Sequence, residues 1–278
     1  LGSIVREVER LAGGGVREIN LVAQELTAYG TDKGKPGALP ALLRRLDQIE
    51  GIVWIRLLYT HPATWTEELT DCLMSLPRLC RYVDIPIQHV SERVLRNMRR
   101  PSFRRTRRLL ERLREKIPGL FVRTVLLTGF PGETDEDFEE MISFVREYRF
   151  DHLGVFEFSP EPGTPAASFE RQVPPAVRRS RRRRILAAQR KISERLNRER
   201  VGRRALLLLD EKDPRGGWRA RHQGQAPEVD GRTRLRYLTG RPLRPGDLIE
   251  AVITRASIYD LEARPATEEE KGSCLAAS

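Results

Sequence analysis

Cysteine, methionine and aromatic residues are scarce in this chain, and it contains no long apolar run. The three cysteines, Cys72, Cys80 and Cys274, are too few and too widely spaced for a disulfide scaffold or a CxxC pair. No window approaches the roughly 18 consecutive apolar residues of a membrane span. The N-terminus also lacks a basic segment followed by an apolar one. These absences predict a cytoplasmic protein whose thiols are inert.

Lysine is rare as well, and it occurs only at positions 33, 35, 116, 191, 212 and 271. The formal net charge of +11 therefore comes almost entirely from arginine. A basic excess indicates a polyanionic partner, although a GC-rich genome would bias the composition in the same way. The chain begins with Leu1 rather than Met, which predicts a product that is cut or truncated upstream.

Apolar β-rich segments alternate with segments of helical periodicity through the first part of the chain. Hydrophobic residues make up 39% of the sequence, which is enough for one large α/β domain and a small one. Strands are predicted at residues 16–23, 52–59, 82–87, 124–127 and 152–158, and helices at 4–11, 39–49, 66–76, 91–98, 104–116 and from 134 onward. This alternation predicts a parallel sheet, either doubly wound or curled as part of a (β/α) barrel.

The stretch RTVLLTGFPGETDEDF, residues 123–138, shows this organisation most plainly. Its first part has no polar alternation, which predicts a strand covered on both faces. Gly129 and Gly132 allow a tight turn or a close approach of the backbone to a ligand. Thr134 and Asp137 have the spacing of a capping box. The acidic first turn of the helix disfavours a phosphate loop, so a plain connection is the simpler interpretation.

Polar residues follow three of the predicted strands. Gln24 and Glu25 come after the first strand, His61 after the second, and Gln88 and His89 after the third. Because α/β folds bind ligands at the carboxyl ends of parallel strands, Gln24 and Glu25 are candidates for ligand contact, and His61 is a further candidate ligand group. Solvated loop polarity explains Gln24 and Glu25 equally well, and a lone histidine before a proline more often hydrogen-bonds locally.

The sequence pattern changes in the second half of the chain. Residues 161–175 predict an irregular loop, and residues 175–200 a long helix with the charge run RRSRRRR at 178–184. That run is either a solvated face or a contact with RNA or the ribosome. Short β-rich segments follow at 205–209, 218–221, 234–238 and 248–254, separated by turn signals. They predict a small antiparallel barrel of OB-like size, followed by a disordered tail at 266–278.

Four motifs, read together, resemble the radical S-adenosylmethionine methylthiotransferases. They are GFPGETDEDF at 129–138, DIPIQH at 84–89, FSPEPGTPAA at 158–167 and APEVDG at 226–231, in one consistent order between residues 4 and 265. Within the family, Gln88-His89, QELTAYG at 24–30 and YDL at 259–261 resemble the branch that modifies ribosomal protein uS12. The tRNA-modifying branch, which carries Gln-Ser-Gly-Ser where this chain has QHVS, is the alternative.

The resemblance implies an α/β fold, namely a partial (β/α) barrel of six strands at 1–174, with its first strand and cluster loop missing here. A basic connecting helix at 175–200, a TRAM domain at 201–265 and a tail at 266–278 complete the implied division. It also implies β-methylthiolation of a uS12 aspartate on the small ribosomal subunit. In that chemistry a 4Fe-4S cluster reduces S-adenosylmethionine, and the resulting radical removes a hydrogen from the aspartate β-carbon; a second cluster helps supply the methylthio group.

The family motifs carry expectations for individual residues. Gln24 and Glu25 would face the amino or carboxylate end of S-adenosylmethionine, and His89 would contact the substrate. The other implied cofactor-binding residues lie at the ends of later strands: Gln88, Gly129, Phe130, Pro131, Gly132, Glu133, Ser159 and Pro160. RNA contact through the basic helix and the TRAM domain is a further expectation.

The chain departs from the family in one major respect, because the CxxxCxxC motif is absent. Cys72 and Cys80 cannot replace it, since a cluster needs several converging thiolates. The sequence therefore offers no metal ligands and no assignable catalytic residue. It predicts that this stretch alone is inactive and binds no iron. The alternative from another class is a cluster-free module that binds RNA or the ribosome.

Overall fold

Five parallel strands form one sheet in the computed structural model, which describes residues 1–35, 37–236 and 242–271. The strands lie side by side in chain order, β1-β2-β3-β4-β5, and every neighbouring pair is parallel. They are β1 Glu18–Leu21, β2 Trp54–Leu57, β3 Leu79–Asp84, β4 Phe121–Thr128 and β5 His152–Glu157. The predicted parallel β/α arrangement is therefore confirmed.

Helices connect the strands and pack their apolar residues against the outer face of the sheet. They are α1 Gly2–Gly13, α2 Leu39–Leu46, α3 Glu67–Ser75, α4 Glu92–Asn97, α5 Phe103–Lys116, α6 Asp135–Tyr148 and α7 Pro175–Glu199, with short 3-10 turns at Leu26–Ala28, Thr31–Lys33 and Pro165–Ser168. The predicted capping box of α6 is confirmed. The Thr134 hydroxyl accepts a bond from the Asp137 amide, and the Asp137 carboxylate accepts one from the Thr134 amide.

One expectation about β4 is wrong, because its two faces are not equally covered. Thr124 and Leu126 are buried against the helices, whereas Arg123, Val125 and Leu127 lie on the inner face and are only half-buried. No layer of helices covers that inner face along its whole length. The apolar residues of the inner face pack against the barrel at one end of the sheet and lie at an open edge at the other end.

The second unit is a closed barrel of five strands in the order β10-β8-β7-β6-β9. Its strands are β6 Arg204–Lys212, β7 Trp218–Arg221, β8 Thr233–Leu235, β9 Leu248–Ala256 and β10 Leu261–Pro265. The pairs are antiparallel except β8 with β10, which is parallel and closes the barrel. Sequence patterning did not predict β10. The strand predicted at 234–238 begins one residue earlier, and residues 237 and 238 lie outside the described residues.

The chain after the barrel differs from the predicted disordered tail. Ala266 is buried, and Glu268–Lys271 form a short helix, α8. Glu270 receives hydrogen bonds from the Arg264 guanidinium and from the Thr267 amide, which lower its pKa to about 2. The remaining residues, 272–278, lie outside the described part. Among the described residues, no helix has both the length and the apolar character needed to cross a bilayer.

The barrel packs against the inner face of the sheet near the amino ends of the strands. Glu18 accepts bonds from Arg56 at 2.9 Å and from Arg221 of the barrel at 2.5 Å, and all three side chains are buried. Asp230 from the barrel loop accepts bonds from the Tyr82 hydroxyl and the Arg123 guanidinium, both at 2.8 Å. These contacts close the amino end of the inner face and leave the carboxyl end open.

Candidate functional site

The carboxyl edge of the sheet carries an open apolar surface. Val22, just after β1, and Phe156 of β5 are each 60% exposed, and they lie at opposite sides of the sheet because β1 and β5 are its two edge strands. Phe156 pairs in register with Leu127 of β4, so their side chains share the inner face. Gly154 has no side chain opposite Val125, which leaves space beside Phe156. The result is an apolar wall of the kind that lines ligand pockets.

Glu25 lies at the opposite end of this edge, after β1. Its Oε1 accepts a bond from the Thr64 hydroxyl at 2.9 Å and lies 3.7 Å from His61 Nδ1. The side chain is 40% exposed, so its second oxygen remains available. Burial lowers the pKa of His61, and the Glu25 charge opposes that shift. Glu25 is therefore a preoriented carboxylate at the mouth of the site, and Gln24 beside it is exposed.

Two non-glycine residues at this edge have a left-handed backbone. Tyr59 after β2 has φ 55°, and Gln88 after β3 has φ 65°. Such conformations cost about 1–3 kcal/mol and concentrate at functional sites. Gln88 is fixed by two backbone bonds to β4, from its amide to Val125 and from the Leu127 amide to its carbonyl. The half-buried Gln88 side chain thus has a defined position between β3 and β4.

The turn after β4, residues 129–133, presents backbone rather than side chains to the edge. Phe130 is buried against Phe158 and Phe169, and Pro131 is also buried. Gly129 and Gly132 have φ of 75° and 83°. A Cβ on Gly129 would lie 2.2 Å from Arg178 Cγ, so α7 packs directly on this glycine. Only backbone groups of the turn and the surface of Gly132 could border a ligand.

Glu133 and His89, expected at the cofactor and the substrate, lie beneath the turn with fully buried side chains. Glu133 accepts bonds from the Gly129 amide at 2.8 Å and from Arg181 of α7 at 2.5 Å. His89 Nδ1 accepts a bond from the Ser91 amide, so Nε2 carries the proton and donates to Glu133 at 3.2 Å. Both side chains position the turn from below in this structure.

Ser159 and Pro160, the last of the predicted site residues, follow β5, and both are exposed. The structure thus brings Gln24, Glu25, Gln88, the 129–133 turn and Ser159-Pro160 to the same edge of the sheet. These residues differ in exposure. Phe130, Pro131, Glu133 and His89 are buried, whereas Gln24, Ser159 and Pro160 are exposed.

Several residues of the site were not predicted from the sequence. Thr64 orients Glu25, Tyr59 carries a strained backbone, and Phe156 forms the apolar wall. The sequence signal for Phe156 is the two-residue period of β5, which places it on the face opposite the buried Val155. Thr64 and Tyr59 have no such signal, because their contacts join segments far apart in the chain.

The inner face also carries buried polar atoms without hydrogen-bond partners. They are Asn20 Oδ1, Arg56 Nη2 and Asp84 Oδ1. Burial raises the pKa of Asp84, while the Tyr59 amide and the charge of Arg123 oppose the shift. Asp84 Oδ1 lies 3.7 Å from Arg123 Nε, so this charge is already paired with a cation. The apolar wall and the Glu25 carboxylate suit a ligand that combines a cationic group with an apolar ring. S-adenosylmethionine, with its sulfonium, amino and adenosine groups, has this composition.

An iron–sulfur cluster finds no ligand set among the described residues. No group of three or more His, Cys, Asp or Glu side chains there converges as a metal site. Cys72 of α3 and Cys80 of β3 are both buried. Burial raises the pKa of Cys80 to about 12, so its thiol stays protonated. Cys274 lies outside the described residues.

These features define a class of α/β proteins in which a partial β/α barrel with an open carboxyl edge is followed by a closed β-barrel. The Radical SAM superfamily profile matches residues 1–145, and the TRAM domain profile matches residues 201–265. The chain therefore belongs to the Radical SAM superfamily and carries a TRAM domain.

Curated relatives extend the similarity to almost the whole chain. The chain is 45% identical to "Ribosomal protein uS12 methylthiotransferase RimO" of Desulforudis audaxviator over 94% of its own length and 58% of that protein. It is also 45% identical to the protein of the same name from Anaeromyxobacter sp. strain Fw109-5, over 93% of this chain and 55% of that one. The chain thus spans little more than half the length of these relatives. Among solved structures, coproporphyrinogen III oxidase (HemN) from Escherichia coli superimposes with a TM-score of 0.47 at 15% identity, covering 79% of this chain and 51% of that one.

Proposed function

We propose that this chain forms the S-adenosylmethionine-binding and substrate-positioning part of a radical S-adenosylmethionine methylthiotransferase that acts on ribosomal protein uS12. The observation that carries the proposal is the 45% identity, over nearly the whole chain, to proteins named for that activity. The open carboxyl edge, with its apolar wall and acceptor groups, supports it independently. The modified group would be an aspartate, as the family resemblance implies, and the protein would work in the cytoplasm as part of a longer chain.

Different residues of the edge would bind different groups of S-adenosylmethionine. Glu25 would pair with the amino group, because it is a preoriented carboxylate with one free oxygen. Phe156 and Leu127 would cover an apolar part of the adenosine, and the 129–133 turn would border it through backbone groups. The acidic first turn of α6 keeps phosphate-bearing nucleotides from the same place. When bound, S-adenosylmethionine would supply the group that takes hydrogen from the substrate.

We propose the same domain boundaries that the family resemblance implies. Residues 1–174 hold the cofactor, the helix at 175–200 connects, and residues 201–265 form the TRAM domain that approaches uS12 or the surrounding small subunit. The ligands of the 4Fe-4S clusters would come from outside the described residues. No catalytic side chain is assigned.

Binding measurements on this chain test the cofactor part of the proposal. Isothermal titration should show saturable binding of S-adenosylmethionine and competition by S-adenosylhomocysteine, whereas ATP should not compete. ATP shares the adenosine group, so it is a matched control for the repulsion of phosphate by α6. Absence of binding, or equal binding of ATP, would contradict the assignment of the edge.

The substrate part needs the full natural reading frame that encodes this chain, produced without oxygen. Incubation with uS12, S-adenosylmethionine, a sulfur source and a reductant should replace one C–H hydrogen of an aspartate by a methylthio group, detected by peptide mass spectrometry. Modification of tRNA with no change in uS12 would instead favour the tRNA-modifying alternative.

A further inference from the structure

An exposed arginine surface lies beside the candidate pocket, on α4, α5 and the turn between them. Between Glu92 and Glu111 there is no acidic residue, and arginine stands at positions 93, 96, 99, 100, 104, 105, 107 and 108. Those that are exposed and form no ion pair within the described part of the chain are Arg96, Arg99, Arg104, Arg105 and Arg108. These five residues are called the α4–α5 arginine surface below.

The backbone beneath this surface is held in a fixed arrangement. Glu92 Oε1 accepts bonds from the Ser102 hydroxyl at 3.1 Å and from the Arg104 amide at 2.9 Å, which ties the start of α4 to the start of α5. The Arg100 amide donates to the Leu95 carbonyl at 2.8 Å and closes the turn. Arg96 lies on α4, Arg99 in the turn, and Arg104, Arg105 and Arg108 in the first two turns of α5, so all five belong to this connected segment.

Of the six arginines in the charge run on α7, residues 178–184, two are buried and two more bond to other parts of the protein. Arg178 and Arg181 are buried, and Arg182 donates to the Val155 carbonyl at 3.0 Å. Arg184 pairs with Glu139 at 2.8 Å. The α7 arginines that are exposed and form no ion pair within the described part of the chain include Arg179, Arg183 and Arg190.

The α4–α5 arginine surface adjoins the candidate pocket. Arg105 donates to the Ala63 carbonyl at 3.2 Å, next to Thr64, which orients Glu25. Arg100 is half-buried; burial lowers its pKa, and the Glu25 carboxylate opposes the shift. A partner bound to this surface would therefore lie at the mouth of the pocket.

The chemistry of the surface favours phosphate groups over a protein partner. None of the large exposed apolar side chains of the structure lies between residues 92 and 108. Protein interfaces are usually anchored by aromatic or other apolar residues, whereas contacts to a nucleic-acid backbone are made by arginine and other polar groups. We propose that the α4–α5 arginine surface binds the phosphate backbone of RNA, and that this contact holds RNA next to the pocket. The proposal does not depend on the proposed methylthiotransferase reaction.

Fluorescence anisotropy with a labelled RNA hairpin and the complete chain tests the proposal. The triple variant Arg96→Gln, Arg99→Gln, Arg104→Gln should bind the hairpin about tenfold or more weakly at about 0.1 M salt. The slope of log affinity against log salt should fall by about 2 to 3, because up to three phosphate contacts are lost. Exposed substitutions of this kind leave stability within about 0.5 kcal/mol each, so the variant should fold.

The control is Arg179→Gln, Arg183→Gln, Arg190→Gln, which removes the same charge from the exposed face of α7. It should change the affinity and the salt slope much less than the first triple variant. Equal losses in both variants would overturn the proposal, since net charge alone would then explain binding. It would also be overturned if the wild-type chain bound no RNA, or bound a poly-glutamate peptide more tightly than the hairpin.

Discussion

At the residue scale, Glu25 is the carboxylate that the structure orients at the mouth of the candidate site. Its carboxylate is held by Thr64 and keeps one oxygen free, so it is oriented before a ligand arrives. A preoriented carboxylate loses little freedom on binding a cation, which makes a charge-assisted bond effective.

Replacing Glu25 by glutamine should therefore weaken S-adenosylmethionine binding about tenfold, equivalent to about 1.4 kcal/mol. The amide keeps the size and the bond from Thr64 but removes the negative charge. Isothermal titration measures the change, and Glu115→Gln, an exposed carboxylate of α5, is the matched control. If the Glu25 variant bound the ligand as tightly as the control did, Glu25 would have no role in cofactor binding.

At the element scale, α7 fixes the turn after β4. Arg178 packs on Gly129, and Arg181 donates to Glu133 at 2.5 Å and to Asp135 at 2.6 Å. Glu133 in turn holds the Gly129 amide and His89. One helix therefore determines the conformation of a turn that belongs to the preceding βα unit.

Arg181→Gln should destabilise the protein by about 3–5 kcal/mol, because it leaves the buried Glu133 carboxylate without its cation. Arg184→Gln, one turn from it on the same helix, should cost no more than about 1 kcal/mol, since its pair with Glu139 is half-exposed. Urea unfolding measures both. Equal effects of the two variants would show that the buried pair does not hold the turn.

Adding Glu133→Gln to the Arg181 variant should recover part of the lost stability, because the unpaired charge is then removed. No recovery in the double variant would point instead to lost packing of α7.

At the scale of the whole molecule, the barrel is joined to the sheet through buried polar groups. His222 of the barrel loop is buried against the Phe121 ring of β4, with ring centroids 5.1 Å apart. Its Nδ1 accepts a bond from the Gly224 amide at 3.0 Å. Burial, together with the positive charge of Arg200, lowers the pKa of His222 well below 6.5. The folded protein thus holds this imidazole neutral.

Stability should consequently fall as the pH drops below about 6.5, because the unfolded chain then binds a proton that the folded one does not. One such group contributes a slope of up to about 1.4 kcal/mol per pH unit. His222→Asn, which can still accept from Gly224, should flatten this slope between pH 6.5 and 5 in urea unfolding experiments. A variant with the slope of the wild type would show that other groups cause the acid sensitivity.

Much of the fold followed from local pattern. Three features depend on residues that are close in sequence, so local interactions are enough to predict them. They are the strand–helix alternation, the capping box at Thr134 and Asp137, and the tight glycine turn. The family resemblance added the TRAM domain, which the barrel and its profile match confirm. The strand β10 was missed because its five residues pair with segments that the local pattern does not show.

The sequence by itself therefore determined the β/α sheet, the presence of a small β-barrel and the motifs at the strand ends. Only the tertiary structure decided which of those residues are exposed and which are buried. His89 and Glu133 carry motif positions but lie beneath the turn, and two of the six arginines in the charge run at 178–184, Arg178 and Arg181, are buried. The physical reason is that burial and charge pairing depend on contacts between distant segments, such as Arg181 with Glu133, and no local periodicity encodes those contacts.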